Sequence, residues 1–176
     1  MEDGVDQGII EILKNEHQEI LRFTKDLRKQ CLRFMEYDEI LMENFRQNVE
    51  FIRSFADKRH YQKEEKILFA AMAENLGLAA VKLVRNGMMV EHDLARLAVN
   101  NLEQALNHYE KQKDSESKLD ILTSATSYCR LLERHSEKEN QVVFPFAQRG
   151  LSTETMKKLD EAAVEYERAF IKMHGI

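Results

Sequence analysis

The stretch Arg59-His60-Tyr61-Gln62-Lys63-Glu64 returns 75 residues later as Arg134-His135-Ser136-Glu137-Lys138-Glu139, with Arg, His, Lys and Glu in the same places. The same offset carries Glu16-His17 onto Glu91-His92. Each half of the chain thus holds a histidine followed, 43 residues on, by a His-x-x-x-Glu pair. A His and a Glu four residues apart stand on one helix face, their Cβ atoms roughly 6 Å apart, so both can reach one metal cluster. A single such pair is common on surface helices; two copies at equal distances from a preceding histidine form a pattern. Four imidazoles and two carboxylates suit iron, manganese or zinc, and burying them without a partner costs several kcal/mol. The repeat predicts a dinuclear metal site inside a helical bundle, with His17, His60, Glu64, His92, His135 and Glu139 as its ligands.

The rest of the chain can supply that bundle. One proline and six glycines in 176 residues favour long helices. Breaks are expected at Met35 to Asp38, Asn75 to Gly77, Asn86-Gly87, Lys113 to Ser117 and Gly150 to Thr153. Between them lie helices near 9–34, 39–74, 88–112 and 117–148, a fifth at about 153–173, and a shorter helical turn at about 78–85. Asp38 and Ser152 read as N-caps, and Gly77 and Gly150 as C-terminal stops. Pro145 removes a backbone donor and predicts a bend near the cluster.

Apolar spacing then orients the ligands. On the first helix Leu13, His17, Ile20, Thr24, Leu27, Cys31 and Phe34 step by fours and threes. The fourth carries Ile121, Ala125, Tyr128, Leu132, His135, Glu139, Val142 and Phe146 in the same way. On the second, Leu41, Phe45, Val49, Ile52 and Ala56 lead into His60 and Glu64, and on the third Met88 and His92 precede Ala95, Val99 and Leu102. Each of the four helices delivers at least one ligand inward.

Composition sets the context. The length suits one domain with a sizeable core. Hydrophobic residues at 43% and charged residues at 32% describe a folded, globular chain. A net charge of -5 without clustered Lys and Arg argues against nucleic acid. No run approaches the roughly 20 apolar residues of a membrane span, and Met1-Glu2-Asp3-Gly4 leads into no apolar signal core, so a cytoplasmic protein is expected. Cys31 and Cys129, without Cys-x-x-Cys spacing, read as reduced, buried thiols.

These motifs resemble the hemerythrin-like family, the HHE cation-binding domain. The similarity rests on Asn15-Glu16-His17, on His60-Tyr61-Gln62-Lys63-Glu64-Glu65-Lys66-Ile67-Leu68-Phe69, on Val90-Glu91-His92-Asp93, and on His135-Ser136-Glu137-Lys138-Glu139-Asn140 with Val143-Phe144-Pro145, spanning about 17–146. The resemblance implies an all-α, up-down-up-down four-helix bundle, here with an additional C-terminal helix. It implies two non-haem irons with His17, His60, His92 and His135 as terminal ligands. Glu64 and Glu139 would be the bridging carboxylates, with an oxo or hydroxo group between the irons when oxidised. Zinc or manganese are substitutes. Oxygen-carrying members use a further histidine four residues beyond the one at His92, where this chain has Arg96. The four-His, two-Glu set is similar instead to bacterial proteins linked to repair of iron centres under nitric oxide or oxidative stress, although their N-terminal cysteine-containing domain is absent from the sequence.

Other residues are weighed against plainer roles. Glu16 and Glu91 either support the metal-binding histidines or are solvated helix charges. Tyr128 is read first as core with a satisfied hydroxyl, and second as a group that orients a bound ligand. Arg59, Arg134 and Glu65 are read as surface charges pairing with helix neighbours. His108 lies outside the repeat and His174 in a frayed tail. Met88 and Met89 fill the core rather than bind metal. The fifth helix presents Met156, Leu159, Ala163, Tyr166 and Phe170, a stripe that caps the bundle or pairs with a second copy, leaving monomer and dimer both open. Three functions follow: a di-iron protein reacting with oxygen, peroxide or nitric oxide; a sensor, carrier or iron donor serving an iron-sulfur protein; or a bundle stapled by zinc.

Overall fold

In the computed structural model, which describes residues 8–175, the chain is helical, with no strand among the described residues. Helix α1 is Ile9–Tyr37. Helix α2 covers 42–75, α3 covers 77–111, α4 covers 115–150, and α5 is Thr153–His174. The first four pack in a ring in chain order, α4 closing against α1, and their short connections make successive helices antiparallel. Helix α5 lies across α1 and α2. Gly8 offers α1 no side-chain cap, and Asp160 of α5 accepts the Ile9 N–H at 2.7 Å instead. No helix among the described residues is long and apolar enough to cross a membrane. Met1-Glu2-Asp3-Gly4 lies outside the described residues.

Helices α2 and α4 are not α-helical throughout. In α2, Met42–Phe51 passes into wide π turns at Ile52–Tyr61 and Glu64–Leu68 before Phe69–Asn75. In α4, Ser115–Lys138 passes into a π turn at Glu139–Val143 before Phe144–Gly150. The N–H groups of Phe69 and Phe144 donate to the carbonyls of Glu64 and Glu139, five residues back. These two turns coincide under the 75-residue shift. The disturbance expected at Pro145 takes this form, but the proline is not its cause: Ala70 stands at the matching place in α2 and the turn forms there too. Pro145 itself follows the π turn directly, in the first turn of Phe144–Gly150.

The extra residue in the α4 turn shifts the apolar stripe. Beyond Glu139 the inward residues are Val143, Phe144 and Ala147, whereas the expected Val142 is largely exposed and Phe146 sits at the core's edge. Leu41 is also exposed, because α2 begins only at Met42. Asp38 caps nothing; it ends α1 in a left-handed conformation with φ of 57°, which a short polar side chain tolerates. No break forms at Asn86-Gly87, since Gly77–Leu83 joins Met89–Lys111 through a π turn at Val84–Met88 whose two end residues are buried. Asp114 accepts the Ser117 N–H and starts α4 at Ser115. Ser152 caps α5 as expected, accepting from Thr155 N. Gly77 turns the chain with φ of 71°, while Gly150 lets Leu76 pack close: a Cβ there would lie 2.7 Å from Leu76 Cδ2 and displace that side chain. The C-terminal tail is helical to His174, whose Nδ1 bonds the Phe170 carbonyl oxygen at 2.9 Å.

Two apolar bodies fill the bundle. One gathers Ile20, Ala56, Tyr61, Ala95 and Leu132; the other gathers Leu13, Leu68, Met88, Val143 and Phe144. On every helix the histidine or glutamate of the repeat falls between the two, as His17 does between Leu13 and Ile20. The polar cluster is therefore a layer across the middle of the core. Cys31 and Cys129 are buried and unpaired, and Met88 is wholly buried in the core.

Candidate metal centre

The six side chains singled out by the repeat meet in that layer. His17, His60, Glu64 and Glu139 form one group, and Glu64, His92, His135 and Glu139 a second, with ligand atoms in each group within 4.8 Å of one another. The two carboxylates belong to both. Glu64 turns Oε1 to His60 Nε2 at 3.2 Å and Oε2 to His92 Nε2 at 3.2 Å. Glu139 turns Oε2 to His17 Nε2 at 3.0 Å and Oε1 to His135 Nε2 at 3.3 Å. Both glutamates are 0% exposed, and none of their four oxygens makes a hydrogen bond of good geometry. The Nε2 atoms of His17 and His60 are equally without one. Buried carboxylates left in this way carry a large desolvation cost unless a cation takes their place in the balance. The donor set and the orphaned atoms fit a pair of metal ions.

The outward nitrogens are all held. His60 Nδ1 lies 2.8 Å from Glu16 Oε2, and His135 Nδ1 lies 2.9 Å from Glu91 Oε2. Lys63 bonds Glu16, and Lys138 bonds Glu91. Each glutamate therefore serves the histidine 44 residues ahead rather than its sequence neighbour. The other pair follows the same symmetry: His92 Nδ1 is 2.7 Å from Glu65 Oε1, and His17 Nδ1 is 3.0 Å from Asn140 Oδ1. Such contacts fix which nitrogen faces the metal and how the ring is turned. Aromatic rings hold the planes as well. Phe144 stacks on His17 at 5.4 Å and Phe69 on His92 at 6.0 Å, while Tyr61 stacks on His92 at 3.9 Å.

Charge in the layer follows from this geometry. Burial alone would depress His17, but Glu139 and Glu64 outweigh it and raise the imidazole to about 10. His92 rises to about 9 against the same burial, through Glu64 and Glu65. Burial would raise Glu64, yet His60, His17 and His92 hold it well below the usual carboxylate range. Glu91 is drawn down to about 2, first by its hydrogen bond from His135 and, against burial, by Lys138. Without metal, protons on the histidines balance the carboxylates where cations would stand.

Several sequence expectations change. Glu16 is only 5% exposed and Glu91 part-buried, so neither is a solvated helix charge. Glu65 is not a surface residue pairing along its own helix; it binds His92 and Arg96 of α3. Arg59 pairs with Glu167 of α5, while Arg134 is exposed. Arg96, where the family's oxygen carriers have a ligand, points to Asp57, Asp93 and Glu65 and has no lone pair to offer a metal. Tyr128 is buried in the core, but its hydroxyl faces only that of Tyr61. His108 is exposed beside Asp114. Sequence reasoning missed Asn140, Phe69, Phe144 and the Tyr61 stack. The 75-residue offset held the first three, since it places Glu65 on Asn140 and Phe69 on Phe144.

No match to the chain emerged among curated proteins or among solved structures. A sequence model of the hemerythrin HHE cation binding domain matches residues 8–147, from the N-terminus of α1 nearly to the end of α4, and so takes in all six convergent residues. The chain belongs to the hemerythrin HHE cation-binding family.

Proposed function

We propose that the chain is a non-haem di-iron protein that binds or reacts with a small ligand: oxygen, peroxide or nitric oxide. His17 and His60 would be the terminal ligands of one iron, His92 and His135 those of the other, and Glu64 and Glu139 the carboxylates shared between them. The observation that carries this reading is the sharing itself: each buried glutamate offers one oxygen to each histidine pair. A mixed imidazole and carboxylate set suits iron, with manganese or zinc as substitutes. When bound, the metal pair would supply the redox or Lewis-acid chemistry.

The protein's own residues do the rest. Glu16, Glu91, Glu65 and Asn140 hold the imidazoles with Nε2 inward. Phe69, Phe144 and the two apolar bodies exclude bulk water from the layer. Arg96 stands where a further ligand would close the set and cannot act as one, which leaves a coordination position for an incoming molecule. An iron-donor role is less favoured by the burial of the cluster: every candidate ligand is at most 1% exposed, so releasing metal requires local opening.

The test is stopped-flow absorption of the reduced, iron-loaded protein mixed separately with oxygen, hydrogen peroxide and nitric oxide. A spectral change with at least one supports the reading, and silence with all three sinks it. Loss of melting temperature without any redox signal in His60→Ala would indicate a zinc staple instead.

A further inference from the structure

A cavity lies beside the polar layer where Tyr61 stacks on His92. It encloses about 180 Å³ and is lined at its inner end by Tyr61 and Tyr128 and farther out by Asp57, Arg96, Val99 and Asn100. Tyr61 and Tyr128 are each 1% exposed, and their hydroxyls face one another with no other side chain bonded to either. Asp57 and Arg96 are part-exposed and joined by a 2.7 Å ion pair, with the Arg96 guanidinium 5.7 Å from the Tyr61 ring centre. One aromatic ring separates this space from the cluster: Tyr61 stacks on His92 at 3.9 Å, with His60 and His135 farther off at 5.8 and 6.1 Å.

The internal repeat makes the difference between the halves explicit. Under the 75-residue shift Tyr61 falls on Ser136, Asp57 on Leu132 and Arg96 on Leu21. The matching positions of the other half therefore carry no aromatic ring and no ion pair of this kind. Chemistry of the lining also selects among ligands. A pair of facing hydroxyls still has one donor and several lone pairs to offer, which a solute that donates and accepts hydrogen bonds satisfies. The volume holds several water-sized molecules, so a ligand of two or three heavy atoms fits. An apolar diatomic gains nothing from those hydroxyls.

We propose that this cavity is the access and holding site of the centre: it takes a small hydrogen-bonding ligand of the peroxide type, binds it through Tyr61 and Tyr128, and delivers it to the His92–His135 side. The inference rests on the function proposed above and adds which of the two metal positions reacts and with what class of ligand. Asp57 and Arg96 stand over the approach, and Tyr61 both touches the ligand and fixes the His92 ring.

The test uses azide as the hydrogen-bonding probe on the oxidised, iron-loaded protein and nitric oxide as the weakly hydrogen-bonding probe on the reduced protein, both followed optically. Val99→Phe fills the cavity. Val164→Phe fills a separate pocket beside Glu16, under α5, and serves as the control. Azide association should slow at least about tenfold in Val99→Phe and stay within twofold of wild type in Val164→Phe. Tyr61→Phe with Tyr128→Phe should weaken azide about fivefold to tenfold and leave nitric oxide affinity within twofold. Iron content and melting temperature are recorded for each variant, and Ala95→Met replaces Val99→Phe if the latter does not fold. Azide rates untouched by filling the cavity, or slowed equally by the control, overturn the proposal while leaving the di-iron reading intact. An iron-loaded wild type that binds neither probe overturns that reading, and this inference with it.

Discussion

Asn140 is to His17 what Glu65 is to His92. Each presents a side-chain oxygen to the outward Nδ1 of a histidine, at 3.0 and 2.7 Å, from positions 75 residues apart. One is a neutral amide and the other a carboxylate, so the two halves of a nearly symmetric cluster differ in the basicity of one histidine. Giving His17 the stronger acceptor, by Asn140→Asp, should tighten metal at the His17–His60 position by about tenfold. Competition against a chelator, which resolves the two binding steps, checks this; unchanged steps would contradict it.

Glu16 and Glu91 do the same work for His60 and His135, but not from equal surroundings. Replacing either with Gln keeps the shape and removes the charge, and metal affinity should fall about 10- to 100-fold in each case. Both changes should destabilise the metal-free fold, Glu16→Gln the more, since Glu16 is buried against Lys63 while Glu91 is part-exposed beside Lys138. Urea unfolding beside the chelator titration separates the two effects.

The two lysines of the repeat offer a sharper contrast. Lys63 is 0% exposed, held between Glu16 and Glu167, while the side chain of Lys138 is 41% exposed beside Glu91. Lys63→Met removes the buried cation between Glu16 and Glu167, which keep only Arg59 and His60, and should cost about 1.5–3 kcal/mol. Lys138→Met should cost less than about 1 kcal/mol. Denaturant midpoints at constant m give both numbers, and equal losses would contradict the difference in burial between the two lysines.

Between pH 6.5 and 10 stability should depend on pH in the metal-free fold and not in the loaded one. In the metal-free fold His17 and His92 are raised from 6.5 to about 10 and about 9. Their contribution is complete below 6.5 and is lost as pH climbs through those folded values. Glu64 is lowered, so its contribution is present above 4.5 and is lost as acid protonates it. The metal-free melting temperature should therefore fall between pH 6.5 and 10. The loaded protein should stay level there, because cations have displaced the protons, and loading near pH 7 should release protons measurable with an indicator. A metal-free protein that gains stability over that range would refute the charge assignment.

Much of this was legible before any coordinates. The helices and the six convergent side chains follow from a repeat and from apolar steps of three and four, because a bundle helix must bury one stripe and His17 and Glu64 lie on it. What escaped has local causes. The π turns at Glu64–Leu68 and Glu139–Val143 add a residue that a fixed helical period does not contain, so Val143 replaced Val142 in the core. Asp38 read as a cap because Asp suits both an N-cap and a left-handed end, and only tertiary packing decides between them. Glu65 looked like a surface charge because its partners, His92 and Arg96, lie on another helix. Partners across helices leave no mark in periodicity.

The most direct test of the account is the metal content of protein purified without oxygen, by elemental analysis, beside Glu64→Ala. The shared-carboxylate arrangement predicts close to two irons per chain in the wild type and loss of both in the variant, since Glu64 faces both histidine pairs. One metal per chain, zinc alone, or a variant that still holds two irons would contradict it.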